Sequence, residues 1–170
     1  MKFFDTFYSY KIFFVLIALA LLPGCDWFKK RIDLSANAVN ILDVNEPIYY
    51  EDAHIAGAIN VSYKEIDELS KKINKQKPVV VYCSSFQCTE STRVAQKLQK
   101  SGFVDVQVYK GGTQEWYQLH MKNQEKYPIV GPAEKKYLKA SIEKDDDQGY
   151  NLPVISAQEL SKLLKEHIKI

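Results

Sequence analysis

The chain has 170 residues, enough for one ordinary domain with a sizeable core. Its 23 basic and 21 acidic residues are interspersed and leave a formal net charge of +2. There is no basic stripe with interleaved aromatics, so neither charge nor pattern argues for nucleic acid as a partner.

In chain order, the first segment stands outside the fold. Lys2 and Lys11 precede the apolar run IFFVLIALALL at residues 12–22. That length suits the h-region of a signal peptide and falls short of the roughly 20 residues of a spanning helix. The run ends in LLPGC, which resembles a bacterial lipobox and implies cleavage before Cys25 and lipidation of its thiol. The expected organisation is a signal peptide over 1–24, a lipidated Cys25 and tether over 25–39, and a domain over 40–170. Asp26 behind the lipidated cysteine resembles an inner-membrane retention signal. Lys29, Lys30 and Arg31 stand in the tether, ready for anionic head groups. The expected location is the cell envelope, lipid-anchored at the periplasmic face of the inner membrane.

The domain then alternates. NILDV (40–44) reads as a buried strand. SYKE (62–65) has capping-box spacing, and Ile66, Leu69 and Ile73 continue an apolar helical face. VVVY (79–82) is a β-branched run behind Pro78, suited to a strand covered on both faces. A helix over 90–100 turns Val94, Ala95 and Leu98 inward and stops at Gly102. VDVQVY (104–109) is the next strand, and Gly111 and Gly112 lead into a helix with Trp116 and Leu119. Strands alternating with helices predict an α/β domain, a parallel sheet flanked by helices. From 122 to 149 the pattern weakens, and 143–151 reads as an exposed linker. LPVISAQELSKLL (152–164) then gives strand, cap and helix again.

Chemistry concentrates where the strand 79–82 runs out, because the carboxyl ends of parallel strands are where α/β proteins usually build their sites. Cys83 stands there, followed by Ser84, Ser85, Phe86, Gln87, Cys88 and Thr89. A thiol at a helix start has its thiolate favoured by N–H groups that lack intrahelical partners. Arg93 and Lys110 are the nearest cations in sequence. The plain alternative for Cys83 is a small buried hydrophobe. Cys88 admits three readings: a spectator or pocket residue, a thiol resolving a modified Cys83, or half of a structural disulfide. A cysteine-dependent phosphatase needs Arg six residues after the cysteine, and Thr89 stands there. No cluster has convincing metal-ligand spacing.

Three stretches, in order and at matching spacing, resemble the rhodanese (sulfurtransferase) family. They are ILDVNEPIYYEDAHIAGAINV (41–61), VVVYC (79–83) and VYKGGTQEW (108–116), and together they cover roughly 40–120. The departures are Asn45 where the family commonly has Arg, Ala53 where Gly is common, and an active loop two residues longer that lacks the usual Gly and Arg. The resemblance implies a single rhodanese-like domain with Cys83 as a nucleophile that carries sulfane sulfur as a persulfide. The loop residues 84–89 would form the substrate and anion cradle, with Asp43, His54 and Arg93 in support. It implies no cofactor and no metal. The partners would be a small sulfur donor and a thiol or cyanide acceptor. The competing class is a binding or thiol-redox module without turnover, using Cys83 and Cys88. His54 reads as ordering its loop, Trp116 as core, and Phe86 at the loop tip as the substrate contact.

A rhodanese domain usually opens with a strand and helix before the Asp-Val-Arg strand. Here the residues between Cys25 and Ile41 are too few for both, and a matching unit stands at 154–164. The expectation is that this unit folds back beside residues 105–109, within the chain or, as a domain-swapped dimer, between two chains. It would bury Ile155, Leu160, Leu163 and Leu164.

Overall fold

A computed structural model describes residues 38–144 and 151–167. The expectations for the leader, Cys25, Asp26 and the tether lie outside those residues, as does most of the linker. Within them the elements run in chain order as strand β1 (Asn40–Asp43), helix α1 (Pro47–Asp52), strands β2 (His54–Ile55) and β3 (Ile59–Asn60), helix α2 (Ile66–Ser70), strand β4 (Val79–Tyr82) and helix α3 (Glu90–Lys100). Strand β5 (Val106–Tyr109), helix α4 (Gly112–His120), strand β6 (Ile129–Val130), a 3₁₀ turn (Lys136–Lys139) and helix α5 (Ala157–His167) complete the order.

The central sheet has the order β3-β1-β4-β5, parallel throughout. β1 and β4 are buried at every residue; β4 accordingly reads as a continuous apolar run rather than an alternating one, and β1 carries the buried polar residues Asn40 and Asp43 at its two ends. Alternate side chains of β4 serve two cores. Val79 and Val81 pack with Ile66, Val94, Ala95 and Leu98 under α2 and α3, while Val80 and Tyr82 pack with Trp116, Leu160 and Leu164 under α4 and α5. Trp116 is wholly buried, donates its indole N–H to the Pro128 carbonyl at 3.0 Å, and meets Tyr109 and Tyr127 edge-on. It is core, as its place in the sequence predicts.

The tail returns to the sheet of its own chain. Val154 bridges Val108 in parallel, the Val108 amide donates to the Pro153 carbonyl at 2.9 Å, and the Ile155 amide donates to the Val108 carbonyl at 3.1 Å. The pairing occupies the outer edge of β5, where the sequence pattern places it, and α5 packs behind it against Val80 and Tyr82. Ile155, Leu160 and Leu164 are buried, whereas Leu163 is only partly so. Ser156 and Glu159 form a complete capping box. The Ser156 Oγ accepts the Glu159 amide at 3.2 Å, and Glu159 Oε2 accepts the Ser156 amide at 2.9 Å. The predicted box at Ser62 is incomplete. There the Ser62 hydroxyl donates to Glu65 at 2.7 Å instead of accepting a helix amide, and α2 starts only at Ile66.

The weakly patterned stretch after residue 122 is ordered by long-range contacts. β6 pairs antiparallel with β2. Asp52 accepts the amides of Ala133, Glu134 and Lys135 through its carbonyl and both carboxylate oxygens, at 2.8, 3.0 and 3.2 Å. The side chains of Gln114 and Gln118 on α4 donate to the carbonyls of Tyr137, Leu138 and Ala140. These bonds hold residues 137–141 over the start of α4.

Candidate active site

Cys83 follows the last residue of β4 and is 1% exposed. Two backbone devices fix its position. The first amides of α4 donate to the loop, Thr113 N–H to the Cys83 carbonyl and Gln114 N–H to the Ser84 carbonyl, both at 2.9 Å. Gly112, at φ +60°, presses its Cα against the same loop. A Cβ there would stand 2.6 Å from the Ser84 carbonyl carbon and the Ser85 nitrogen, and closer still to the Cys83 oxygen. Gly112, the second of the paired glycines, thus marks a close approach between the start of α4 and the cysteine loop.

The loop turns tightly, with Cys88 N–H donating to the Ser85 carbonyl at 3.1 Å and Phe86 and Gln87 at the corner. The turn brings Cys88 back to Cys83, and the two form a disulfide with Cα atoms 6.3 Å apart. The Ser91 hydroxyl, buried in the first turn of α3, lies 3.4 Å from Cys83 Sγ. The loop residues singled out in the sequence stop at Thr89, two short of Ser91. Its role beside the sulfur follows from the turn.

A cleft of about 550 Å³ opens over the loop. Ser84, Ser85, Gln87 and Cys88 line it; Cys83 itself does not. The opposite wall comes from Asn45 at the end of β1, Gln114, and Tyr137 to Glu143 in the stretch that lacked a pattern. Gln87 Nε2 donates to Glu143 Oε2 at 2.9 Å across the mouth. Glu46 and Glu90 also line the cleft, and among the described lining residues there is no Lys or Arg.

Three expectations need correction. Phe86 does not line the cleft; its ring lies under the Lys144 ammonium at 5.6 Å. Thr89 lies outside the lining too, exposed at the start of α3. Arg93 is directed away from the sulfur: its guanidinium bonds Glu90 at 2.5 Å and sits 4.8 Å from the centre of the Tyr63 ring. The spacing places Arg93 at the helix start, but a side chain on the exposed face of α3 cannot reach the loop. Lys110 donates to the Thr92 hydroxyl at 3.0 Å.

Asp43 and His54 act behind the site. Asp43, wholly buried at the end of β1, accepts the Asn45 amide at 2.8 Å. Burial pushes its carboxyl up to about 6, outweighing the Asn45 and Tyr82 contacts that favour the charged form. Asn45 in turn donates through Nδ2 to the Thr113 hydroxyl at 3.3 Å, and Asn60 Nδ2 donates to the Asn45 and Asp43 carbonyls. These bonds tie the carboxyl end of β1 to the start of α4, so Asn45 does positioning work although it is not the Arg common in the family. His54 stacks on Tyr50 with ring centres 3.8 Å apart and directs Nδ1 at the Tyr50 carbonyl at 2.8 Å. Burial lowers its pKa, so the neutral ring is favoured and the residue orders its loop.

A family model described as a rhodanese-like domain matches residues 25–119. A thiosulfate sulfurtransferase GlpE of Coxiella burnetii is 40% identical over 80 residues, which span 47% of this chain and 73% of that protein. The uncharacterized protein YqhL of Bacillus subtilis is 36% identical over 76 residues, 45% of this chain and 59% of that protein. A solved structure described as a rhodanese with anions from E. coli is 26% identical, with a TM-score of 0.43, over 55% of this chain and 98% of that one.

Proposed function

Because the chain belongs to the rhodanese-like domain family, we propose that it is a sulfurtransferase that carries sulfane sulfur on Cys83. The single observation behind this reading is the cysteine loop. Cys83 leaves the buried strand β4, is held at its carbonyl by the Thr113 amide of α4, and lies beside the first turn of α3. In the reduced protein the Cys83 thiolate attacks the outer sulfur of a donor such as thiosulfate. A bond forms between that sulfur and Sγ, the donor's S–S bond breaks, and sulfite leaves with the electron pair. The resulting Cys83 persulfide then yields its outer sulfur to a thiolate or cyanide acceptor, and Cys83 leaves as the thiolate. The start of α3, the Ser91 hydroxyl and the loop hydroxyls favour the anionic forms of the sulfur.

Two further parts of the reading rest on sequence and on the sulfurs. The apolar run and lipobox-like LLPGC support export and a lipid anchor at Cys25. The disulfide itself favours the second reading, a thiol-redox module, and fits an oxidising compartment. The deciding experiment is Cys83→Ser assayed under reducing conditions with thiosulfate and cyanide. The expected loss is at least about a thousandfold with thermal stability retained, because the variant lacks the nucleophile. Activity equal to that of the unaltered reduced protein would overturn the assignment. Inactivity of the reduced, unaltered protein with thiosulfate and with persulfide donors would favour the redox module.

A further inference from the structure

We propose that Cys88 is the resolving cysteine of this site: it displaces sulfide from the Cys83 persulfide, and it is the sulfur through which a dithiol reopens the disulfide. The inference rests on the sulfurtransferase reading and extends it to a second product and a reductant.

Three observations carry it. The two cysteines share one turn, closed by the Cys88 amide on the Ser85 carbonyl, and their sulfurs meet with no intervening side chain. A Cys88 thiol therefore begins within reach of Cys83 Sγ, and an intramolecular attack needs no partner to diffuse in. Second, the two sulfurs differ in access. Cys83 is 1% exposed and absent from the cleft wall, whereas Cys88 lines it. In the disulfide Cys88 stands between the cleft and Cys83. Third, the surroundings of Cys83 suit a leaving thiolate, with the Ser91 hydroxyl at 3.4 Å and the start of α3 beside it.

The chemistry closes in two steps. Cys88, as thiolate, attacks the Sγ of Cys83 in the persulfide. An S–S bond forms between the cysteines, the bond from Sγ to the outer sulfur breaks, and that sulfur leaves as sulfide, taking up the proton that Cys88 gave. The sulfane sulfur is reduced and the cysteine pair is oxidised. A dithiol then attacks Cys88, the sulfur exposed to the cleft, and Cys83 departs as the thiolate. The second thiol of the reductant attacks the mixed disulfide and frees Cys88. Each cycle consumes one sulfane sulfur and one dithiol and yields sulfide and the reductant's disulfide. A competing external acceptor takes the outer sulfur before Cys88 acts.

The test uses the full chain, reduced and then freed of reductant, given excess thiosulfate without acceptor. The unaltered protein is expected to release about one sulfide per chain, stop, and lose two hydrogens across the 83–88 peptide; adding a dithiol restarts it. Cys88→Ser is expected to release less than about a tenth of that sulfide and to hold one added sulfur on Cys83. Cys88→Ala, whose fold is checked by circular dichroism, should behave like Cys88→Ser. A stable persulfide on Cys83 in the unaltered protein, or an equal sulfide burst from the Cys88 variants, would overturn the role of Cys88 while leaving sulfur transfer intact. Absence of added sulfur on Cys83 in the Cys88 variants would overturn the sulfurtransferase reading, and this inference with it.

Discussion

β4 leads into α3 through Cys83–Thr89, and the bridge at Val154 leads into α5 through Ser156; the two connections treat the first amides of their helices in opposite ways. In the tail, Ser156 and Glu159 exchange both bonds of a capping box, and the hydrophobic residues behind the cap fill the sheet. At the cysteine loop, Thr89 has helical backbone angles and makes no side-chain cap, and the Cys83 sulfur lies 3.4 Å from the Ser91 hydroxyl in the first turn of α3. A connection built for stability satisfies its helix end internally. A connection built for chemistry leaves the helix end to the reacting group and is held from outside, here by α4. Substitutions in either connection probe that contrast, with effects that run from large to small.

Removing the tail should cost most. Ending the chain at Asp147 deletes the bridge to β5 and the burial of Ile155, Leu160 and Leu164, each worth about 1.5–3 kcal/mol when fully buried. The expected result is loss of cooperative thermal unfolding. The milder Leu160→Ala should lose about 2–5 kcal/mol while leaving sulfur transfer per folded molecule unchanged. Full stability after truncation would show that the tail is not an integral part of the sheet and its helical cover.

Gly112→Ala attacks the other connection from outside. The new Cβ meets the Cys83 and Ser84 backbone, and φ of +60° disfavours any side chain. The expected stability loss is about 1–3 kcal/mol, with a fall in sulfur transfer of about tenfold or more in the molecules that remain folded. An active variant that has lost only stability would mean that the loop does not need the α4 clamp.

How much of this was legible in the sequence differs between the same two regions and the cleft wall. β4, α3 and the tail helix follow from local signals: a β-branched run, an apolar helical face with a glycine stop, and the spacing of Ser156 and Glu159. Residues 41–61, 79–83 and 108–116 carry enough of the family pattern to locate Cys83 from the sequence alone. The wall from Tyr137 to Glu143 was not legible, because it is held by Asp52, Gln114 and Gln118 bonding to backbone groups far along the chain. Side-chain-to-backbone bonds of that range leave no periodicity. The sequence also places Arg93 and Phe86 near the sulfur, whereas the Arg93 side chain pairs with Glu90 and the Phe86 ring lies against Lys144, directions that position along the chain does not fix.

Asp43 links the two kinds of order through pH. Its folded pKa of about 6 lies above the unfolded 3.8, so between those values the folded protein holds the proton that the unfolded chain has released. Stability therefore falls as pH rises from about 4 through 6, by an amount of order 3 kcal/mol, and stays lowered above that range. Asp43→Asn keeps an oxygen for the Asn45 amide and removes the titration. Chemical denaturation at several pH values should show the fall flattened in the variant; an unchanged profile would assign the titration to another group.

The smallest effect tests the contrast most directly. Ser156→Ala removes the acceptor of the Glu159 amide and the hydroxyl donor to the Glu159 carboxylate. The expected loss is about 1 kcal/mol, the usual cost of an N-cap serine. Thr89→Ala removes no cap bond, so its loss should stay within about 0.5 kcal/mol. Urea midpoints measured side by side read the difference. The carboxylate of Glu159 adds a second signature. Its pKa is lowered by the Ser156 hydroxyl and then by the Ser156 amide, so its support is present above the unfolded value of 4.5 and fades as pH falls through the lowered one. The gap between Ser156→Ala and Thr89→Ala should therefore narrow in acid. Equal losses at neutral pH would mean that the helix after the cysteine is capped as firmly as the helix in the tail, and that its first amides are not left to the sulfur.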